Sequence, residues 1–305
     1  MIRYVHHADI DKAEWDRRLL SCSNMLWYAQ SYVLDIASPD WEALVDDSTG
    51  AMMPLTWRKK FGVRYLFQPF GLQQLGVFAP ATITQEVASA FIRSIPDHFR
   101  LAQISINQSM PAPAVEGWHA TEHTNQVLDL SGGIERVRTN YSKGHERKLR
   151  KGLDVEGLLA QPMDGHAFSE LFQRTTAQRF AGIDVRGLRS LPVLLQAGID
   201  RGDVDILGVR GAAGVWGGGI AFAHWCGRSI LLKSAVDEAG REMNAMFHLV
   251  DAGAEHACGR SSILDFAGSE HPGTARFYEG FGARSTVYLR LTMNDLPFWL
   301  KPFKR

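Results

Sequence analysis

ILDFAGSEHPGTARFYEGFGARSTVYLRL, residues 263–291, decides the fold. Ile263, Leu264, Asp265 and Phe266 make a short apolar run that ends in small residues, the pattern of a buried strand. Pro272 and Thr274 then predict a helix start, because a proline costs nothing where the first amide has no partner. Gly280 and Gly282 end that helix, and 285–291 reads as a closing strand. Tyr278 falls one turn before the glycines, near the end of a sheet strand. A phenol titrates near 10 in water, so it keeps its proton at neutral pH and can donate it. The same residue also reads as a ring packed in the core with its hydroxyl on a carbonyl.

Working back from this stretch, 243–256 predicts a helix, and 204–210, 215–224 and 228–234 predict three successive strands, with turns at 211–214 and at Cys226-Gly227. Before them come helices over 166–180, with Phe168, Leu171, Phe172 and Thr175 on one side, and over 188–201. A strand is expected at 126–130, a basic helical segment over 134–151 interrupted near Gly144, and a strand at 155–160. The first hundred residues repeat this order loosely. Helices are expected at 10–20, 31–37 and 82–95, and strands at 41–45, 51–58, 63–67 and 100–106.

A chain of 305 residues can bury one large or two ordinary cores, and a formal net charge of zero removes global charge as an argument for nucleic acid or membrane. Cys22, Cys226 and Cys258 are widely spaced and read as reduced thiols of a cytoplasmic protein. His6, His7, His119 and His123 have no metal-ligand spacing, so no structural metal is predicted. The N-terminus is charged where a signal peptide is apolar, and no run of about 18 apolar residues occurs, so neither export nor a membrane partner is expected. Gly217-Gly218-Gly219 sits inside a strand, which makes it a place of close approach rather than a dinucleotide fingerprint. Trp216 and Trp225 read as either tunnel walls or core.

HPGTARFYEGFGA resembles the closing motif N-x-x-A-x-x-x-Y-x-x-x-G-F of the GNAT N-acyltransferases. Tyr278 and Gly282 stand on its tyrosine and glycine, Ala275 comes one place late, His271 stands at the asparagine, and Ala283 replaces the last aromatic. LDFAGS with FYEGFGA, and upstream VLDLSGGIERVRTNYSKGHERKLRKGLDV, resemble the FemABX-like branch. That resemblance covers about the last three fifths of the chain. It implies an α/β fold with a mixed sheet, built as two tandem GNAT-like acyltransferase domains of which the first, 1–122, is degenerate. The second, 123–292, is catalytic, and 293–305 is a candidate to complete the first.

The resemblance further implies direct transfer of an acyl group to the primary amine of a small molecule or peptide, with no tightly bound cofactor. The favoured co-substrate is acyl-CoA. The alternatives are aminoacyl-tRNA with a peptidoglycan-precursor acceptor, and an inactive binding module of the same shape. Backbone N–H groups of Ser234, Ala235 and Val236 would stabilise the oxyanion. Gly240, Arg241, Asn244 and Ala245 would open a helix whose amides suit a pyrophosphate, although the paired glycines of CoA-binding members are missing and Asn244 also reads as a plain cap. Tyr278 would be the acid. Asp265, Glu270 and His271 are the candidates for the base, with loop-holding or capping as their alternative roles. The segment from Arg136 to Lys151 has seven Lys or Arg and one Glu, and reads as either a tRNA or CoA phosphate contact or a solvated helix. Arg58-Lys59-Lys60, with Trp57, Phe61, Tyr65 and Gln68 nearby, reads as an acceptor groove or a hairpin tip.

Overall fold

The computed structural model describes residues 1–153, 158–177, 185–211, 214–268 and 271–296. The chain divides into two compact units, Met1–His123 with the segment from Val287 onward, and Thr124–Thr286.

In the first unit, β1 (Ile2–Val5), α1 (Lys12–Ser21) and α2 (Ser31–Ala37) precede β2 (Glu42–Asp46) and β3 (Met52–Leu55). The order β1-β2-β3 makes a small antiparallel sheet, and the sequence pattern had missed its first strand. The run expected as one strand at 51–58 is two, because β4 (Trp57–Lys60) leaves β3 at Thr56, whose hydroxyl donates to Phe67 O at 2.6 Å. β4 folds back on β5 (Val63–Phe67) through Phe61 and Gly62, both at positive φ (50° and 82°), as a tight hairpin requires. After α3 (Gln85–Arg93), β6 (Phe99–Ile106) runs parallel to β5, from Arg64 opposite Phe99 to Phe67 opposite Gln103. Beyond Phe67 the chain stays on β6. Ser105 N–H donates to Gln68 Oε1 at 2.8 Å, Leu75 N–H donates to Ser105 O at 2.9 Å, and Asn107 N–H donates to Leu75 O at 2.8 Å. Ala88, Phe91 and Ile92 of α3 bury themselves against Leu66, Phe99 and Ala102.

The second unit begins inside β7 (Trp118–Asp129). The basic segment that follows is two helices, α4 (Gly133–Thr139) and α5 (Lys143–Leu153), with the break at Asn140 to Ser142. Of the strand expected at 155–160, 154–157 lie outside the described residues, 158–160 are not extended into a sheet, and only β8 (Gln161–Pro162) pairs. Next come α6 (Gly165–Thr175), α7 (Val185–Asp200), and β9 (Val204–Arg210), β10 (Trp216–Trp225) and β11 (Arg228–Val236). A short α8 (Glu238–Glu242) separates β11 from α9 (Ala245–Cys258), and β12 (Ile263–Asp265), α10 (Pro272–Glu279) and β13 (Arg284–Asn294) close the chain. β8 through β11 form an antiparallel meander, β11 and β12 are parallel, and β12 is antiparallel to β7. Part of β13 returns to pair antiparallel with β6, Leu289 opposite Ile106.

Glycines let both helical layers come close to β10. A Cβ on Gly218 would lie 3.1 Å from Leu249 of α9, one on Gly219 would lie 3.0 Å from Phe168 of α6, and one on Gly253 of α9 would strike the Phe222 ring at 2.3 Å. Leu249, Val250 and Ala254 thereby pack on Ile220, Phe222 and Leu231. Burial of this kind, at ~25 cal/mol per Å² of apolar surface, holds the meander as a rigid platform. Among the described residues no helix is long and apolar enough to cross a membrane.

Candidate functional site

β11 is paired with β10 along nearly its full length but with β12 over three residues only, Arg228, Ser229 and Ile230 opposite Ile263, Leu264 and Asp265. Past Ile230 the two strands part. β11 continues to Val236, whereas the chain after β12 turns through Ala267 and Gly268, at φ of 52° and 63°. A register shift assists the opening. Ala221 faces Lys233 and Phe222 faces Leu231, so Leu232 is an extra residue, and such a bulge bends and twists its strand. Asp237 N–H donates to Gly217 O at 3.0 Å, on the β10 side. Since strand amides alternate in direction, those of Ser234 and Val236 point the other way, into the wedge. That geometry suits an oxyanion. Ala235, carried with them from the sequence, pairs with Gly219 and has its amide on the β10 side.

Tyr278, on α10, comes to this wedge. It is 6 % exposed, its ring stacks on Phe266 with centroids 4.2 Å apart, and its phenol shares a hydrogen bond with the Ser234 side chain. Burial pushes the phenol up to about 12, with the Ser234 bond pulling the other way. Pro272 starts α10 as the sequence predicts. Its far end is held by His145 of α5, whose ring lies against Phe247, Phe277 and Phe281 and whose Nε2 is 2.9 Å from Phe277 O. A Cβ on Gly280 would meet that ring at 2.0 Å, which gives this glycine, two places before the motif's Gly282, a packing reason.

The residues considered for the base are placed differently. Asp265 sits at the vertex of the wedge, 1 % exposed, with both oxygens engaged. Asn125 Nδ2 donates to Oδ1 at 2.9 Å, Ala267 N–H donates to Oδ1 at 2.8 Å, and the Arg228 guanidinium holds Oδ2. This carboxylate fastens the strand ends and is not available to a substrate. His271 is the N-cap of α10, its Nδ1 accepting from Gly273 N–H at 3.2 Å. Glu270 lies outside the described residues.

Of the residues expected to cradle a pyrophosphate, Gly240, Arg241 and Asn244 have their amides engaged in local hydrogen bonds. Asp237 caps α8 with its carboxylate, accepting from Gly240 N–H at 2.8 Å, and Arg241 N–H donates to Asp237 O at 3.1 Å. Asn244 N–H donates to Arg241 O at 3.0 Å. Gly240 has no room for a ligand either, since a Cβ there would lie 2.2 Å from Gly217 O. The Arg241 guanidinium folds back on Val236 O at 3.3 Å. Asn244 takes a left-handed conformation (φ 60°) without a side-chain cap bond, and Ala245 is fully buried. The amides of Gly240, Arg241 and Asn244 are thus engaged within the turn, and the Asp237 carboxylate stands at the start of α8, where it would repel an anion. No motif could have foretold the Asp237 cap, although Asp-x-x-Gly after a strand is compatible with one.

The basic segment divides by role. Arg138 on α4 holds α9 through Asp251 (2.8 Å) and Glu255 (2.8 Å), and Tyr141 donates to Asp251 at 3.0 Å. On α5, Lys143, Arg147, Arg150 and Lys151 are exposed, and none of them has an ion pair among the described residues. Arg58-Lys59-Lys60 lies on the β4 arm of the hairpin, with Arg58 4.0 Å over the Phe67 ring. Trp216 covers Gly208 and carries the Arg210 guanidinium 3.9 Å above its ring, which makes it a packing element.

No protein-family model and no curated protein matches this sequence. Solved structures do. FemX superposes with a TM-score of 0.68 at 12 % identity, covering 94 % of this chain and 96 % of that one. L-PGS from Bacillus licheniformis superposes at 0.56 and 9 % identity over 94 % and 93 %. A tandem GNAT protein from the clavulanic acid biosynthesis pathway superposes at 0.53 and 15 % identity over 97 % and 99 %. The likeness is one of fold. This chain has a mixed α/β, tandem GNAT-like fold similar to that of FemX, the architecture its closing motif pointed to.

Proposed function

We propose that the second unit transfers an acyl group from an activated carrier to a primary amine in the wedge between β11 and β12. The single observation that carries this reading is the buried Tyr278 phenol on Ser234, at the place where the strand amides lose their partners. The amine nitrogen attacks the donor carbonyl, the oxyanion is received by the amides of Ser234 and Val236, Tyr278 gives its proton to the leaving atom as the C–X bond breaks, and the phenolate takes back the proton that the ammonium nitrogen loses. No covalent enzyme intermediate is needed.

Two features turn our reading of the donor from acyl-CoA to an aminoacyl ester such as aminoacyl-tRNA. The turn at 237–244 engages the amides of Gly240, Arg241 and Asn244, three of the four residues expected to receive a pyrophosphate. The phenol, pushed up to about 12, is also a poor acid for a thiolate. A thiolate with a pKa of about 8.5 gains nothing by taking a proton from it, whereas an expelled alkoxide is a far stronger base. The exposed cations of α5 are suited to a polyanionic carrier.

The test supplies aminoacyl-tRNA or acyl-CoA with a panel of amines and follows transfer by mass spectrometry, beside thermal shifts with each donor. Tyr278→Phe should lower turnover ~10²- to 10⁴-fold while the protein stays folded. Full transfer from acyl-CoA alone would replace the donor. Unchanged turnover in Tyr278→Phe would remove the phenol from the mechanism. No transfer and no stabilisation with any donor would leave the binding module as the reading.

A further inference from the structure

At the hairpin end of the meander, along β11 from the wedge, three side chains from different elements converge. They are Asp205 near the start of β9, His224 near the end of β10, and His256 in the last turn of α9. One ligand-type atom from each lies within 4.8 Å of the others. His256 Nε2 is 2.8 Å and His224 Nε2 is 3.5 Å from Asp205 Oδ2. Donor atoms around a tetrahedral zinc, each ~2.0–2.1 Å from the metal, stand about 3.4 Å apart.

A second observation concerns His224 alone. Its side chain is 3 % exposed, and its Nε2 is buried with no hydrogen-bond partner. The other ring nitrogen, Nδ1, is 2.7 Å from the hydroxyl of Ser229, which is fully buried and donates in turn to Ser261 Oγ at 2.8 Å. With the Ser229 proton directed at Ser261, Nδ1 must be the nitrogen that carries hydrogen. The Nε2 lone pair then faces the Asp205 carboxylate, two acceptors 3.5 Å apart. A buried acceptor without a donor is costly, and a cation between the two removes the conflict. The hydrogen bond from Nδ1 to a fixed oxygen is also the arrangement by which proteins orient a ligating imidazole.

We propose that Asp205, His224 and His256 bind a divalent first-row transition cation such as Zn²⁺, with Ser229 orienting His224 and one coordination position left to water. Two imidazoles and a carboxylate are a donor set that suits zinc and its neighbours in the series. The Arg260 guanidinium, 2.6 Å from Asp205 Oδ2, holds the carboxylate when the cation is absent. Its side chain is 44 % exposed, so it can withdraw to solvent as the cation enters. The bound ion fastens the ends of β9, β10 and α9 to one another, which is a structural role at the far end of β11 from the wedge.

The full-length protein, stripped with a chelator, would be titrated with Zn²⁺ by calorimetry and with Co²⁺ by visible absorption, with metal content read by plasma mass spectrometry. One equivalent should bind, Co²⁺ should develop its ligand-field bands, and Zn²⁺ should raise the melting temperature. His256→Gln, at a partly exposed position that leaves the core intact, should abolish all three. Ser229→Ala should weaken binding ~10- to 100-fold while leaving the ligands in place. Circular dichroism of each stripped variant separates lost binding from lost folding, and Asp205→Asn serves if His256→Gln does not fold. Absence of binding by the wild type, or equal affinity in His256→Gln and Asp205→Asn, would overturn the site.

Discussion

Each unit contains a parallel strand pair, β5 with β6 in the first and β11 with β12 in the second, and the two pairs end differently. In the first, the chain beyond Phe67 stays on its neighbour. Gln68 takes the Ser105 amide, and Leu75 bridges Ile106 as a further rung. In the second, pairing stops at Ile230 and Asp265, and the chain leaves through two residues at positive φ. A parallel pair presents a row of amides that must find acceptors somewhere. The first unit supplies them from its own chain, while the second leaves the amides of Ser234 and Val236 facing the wedge. The difference is the ground on which the proposed transfer is assigned to the second unit.

Removing the fastener of the open pair should have the largest effect on stability. Asp265→Ala leaves Arg228 and Asn125 without their buried acceptor and should cost about 3–5 kcal/mol in urea melts. A loss under 1 kcal/mol would mean that the vertex is held by something else. Tyr278 makes a second, pH-dependent contribution. Its folded pKa of about 12 lies above the unfolded value near 10, so the folded state keeps its proton longer. The contribution is whole below pH 10 and is lost as pH rises toward 12, on the order of 3 kcal/mol across that window. The wild type should therefore lose stability relative to Tyr278→Phe between these pH values, and parallel curves would deny the burial of the hydroxyl. The sealed pair can be loosened at Gly76, which has φ of 90° and where a Cβ would press on Ile106 at 3.0 Å. Gly76→Ala should cost ~1–3 kcal/mol while leaving transfer per folded molecule unchanged. The smallest effect is expected at the exit of the open pair. Ala267→Gly relieves a left-handed alanine and should stabilise by ~0.5 kcal/mol after the entropy of glycine is deducted.

Much of the second unit was legible in the sequence, because its meander has clear turns and its last helix carries proline and glycine where a helix begins and ends. Tyr278 was legible for the same reason, one turn ahead of Gly280 and Gly282. Long-range partners were not. That the carboxylate of Asp265 would be taken up by Arg228 and Asn125, or that the amides of Gly240 and Asn244 would be spent inside their own turn, depends on strands brought together by pairing and leaves no trace in spacing. The Asp205, His224 and His256 cluster is the same case: the two histidines are 32 positions apart in sequence, and only β9, β10 and α9 together put them near one carboxylate. The reading of the sequence, confined to local spacings, predicted no structural metal, and the proposed site departs from it.

The surplus residue at Leu232 has a consequence for how this strand can change. Before it, odd-numbered side chains share a face with His224 and Phe222; after it, even-numbered ones do, which is how Ser234 comes to meet Tyr278. Excising Leu232 would leave the downstream partners as they are, Lys233 opposite Ala221 and Ser234 opposite Ile220, and would remove only the bend. A deletion there, unlike any substitution, would straighten β11 while keeping the serine hydroxyl on its present face.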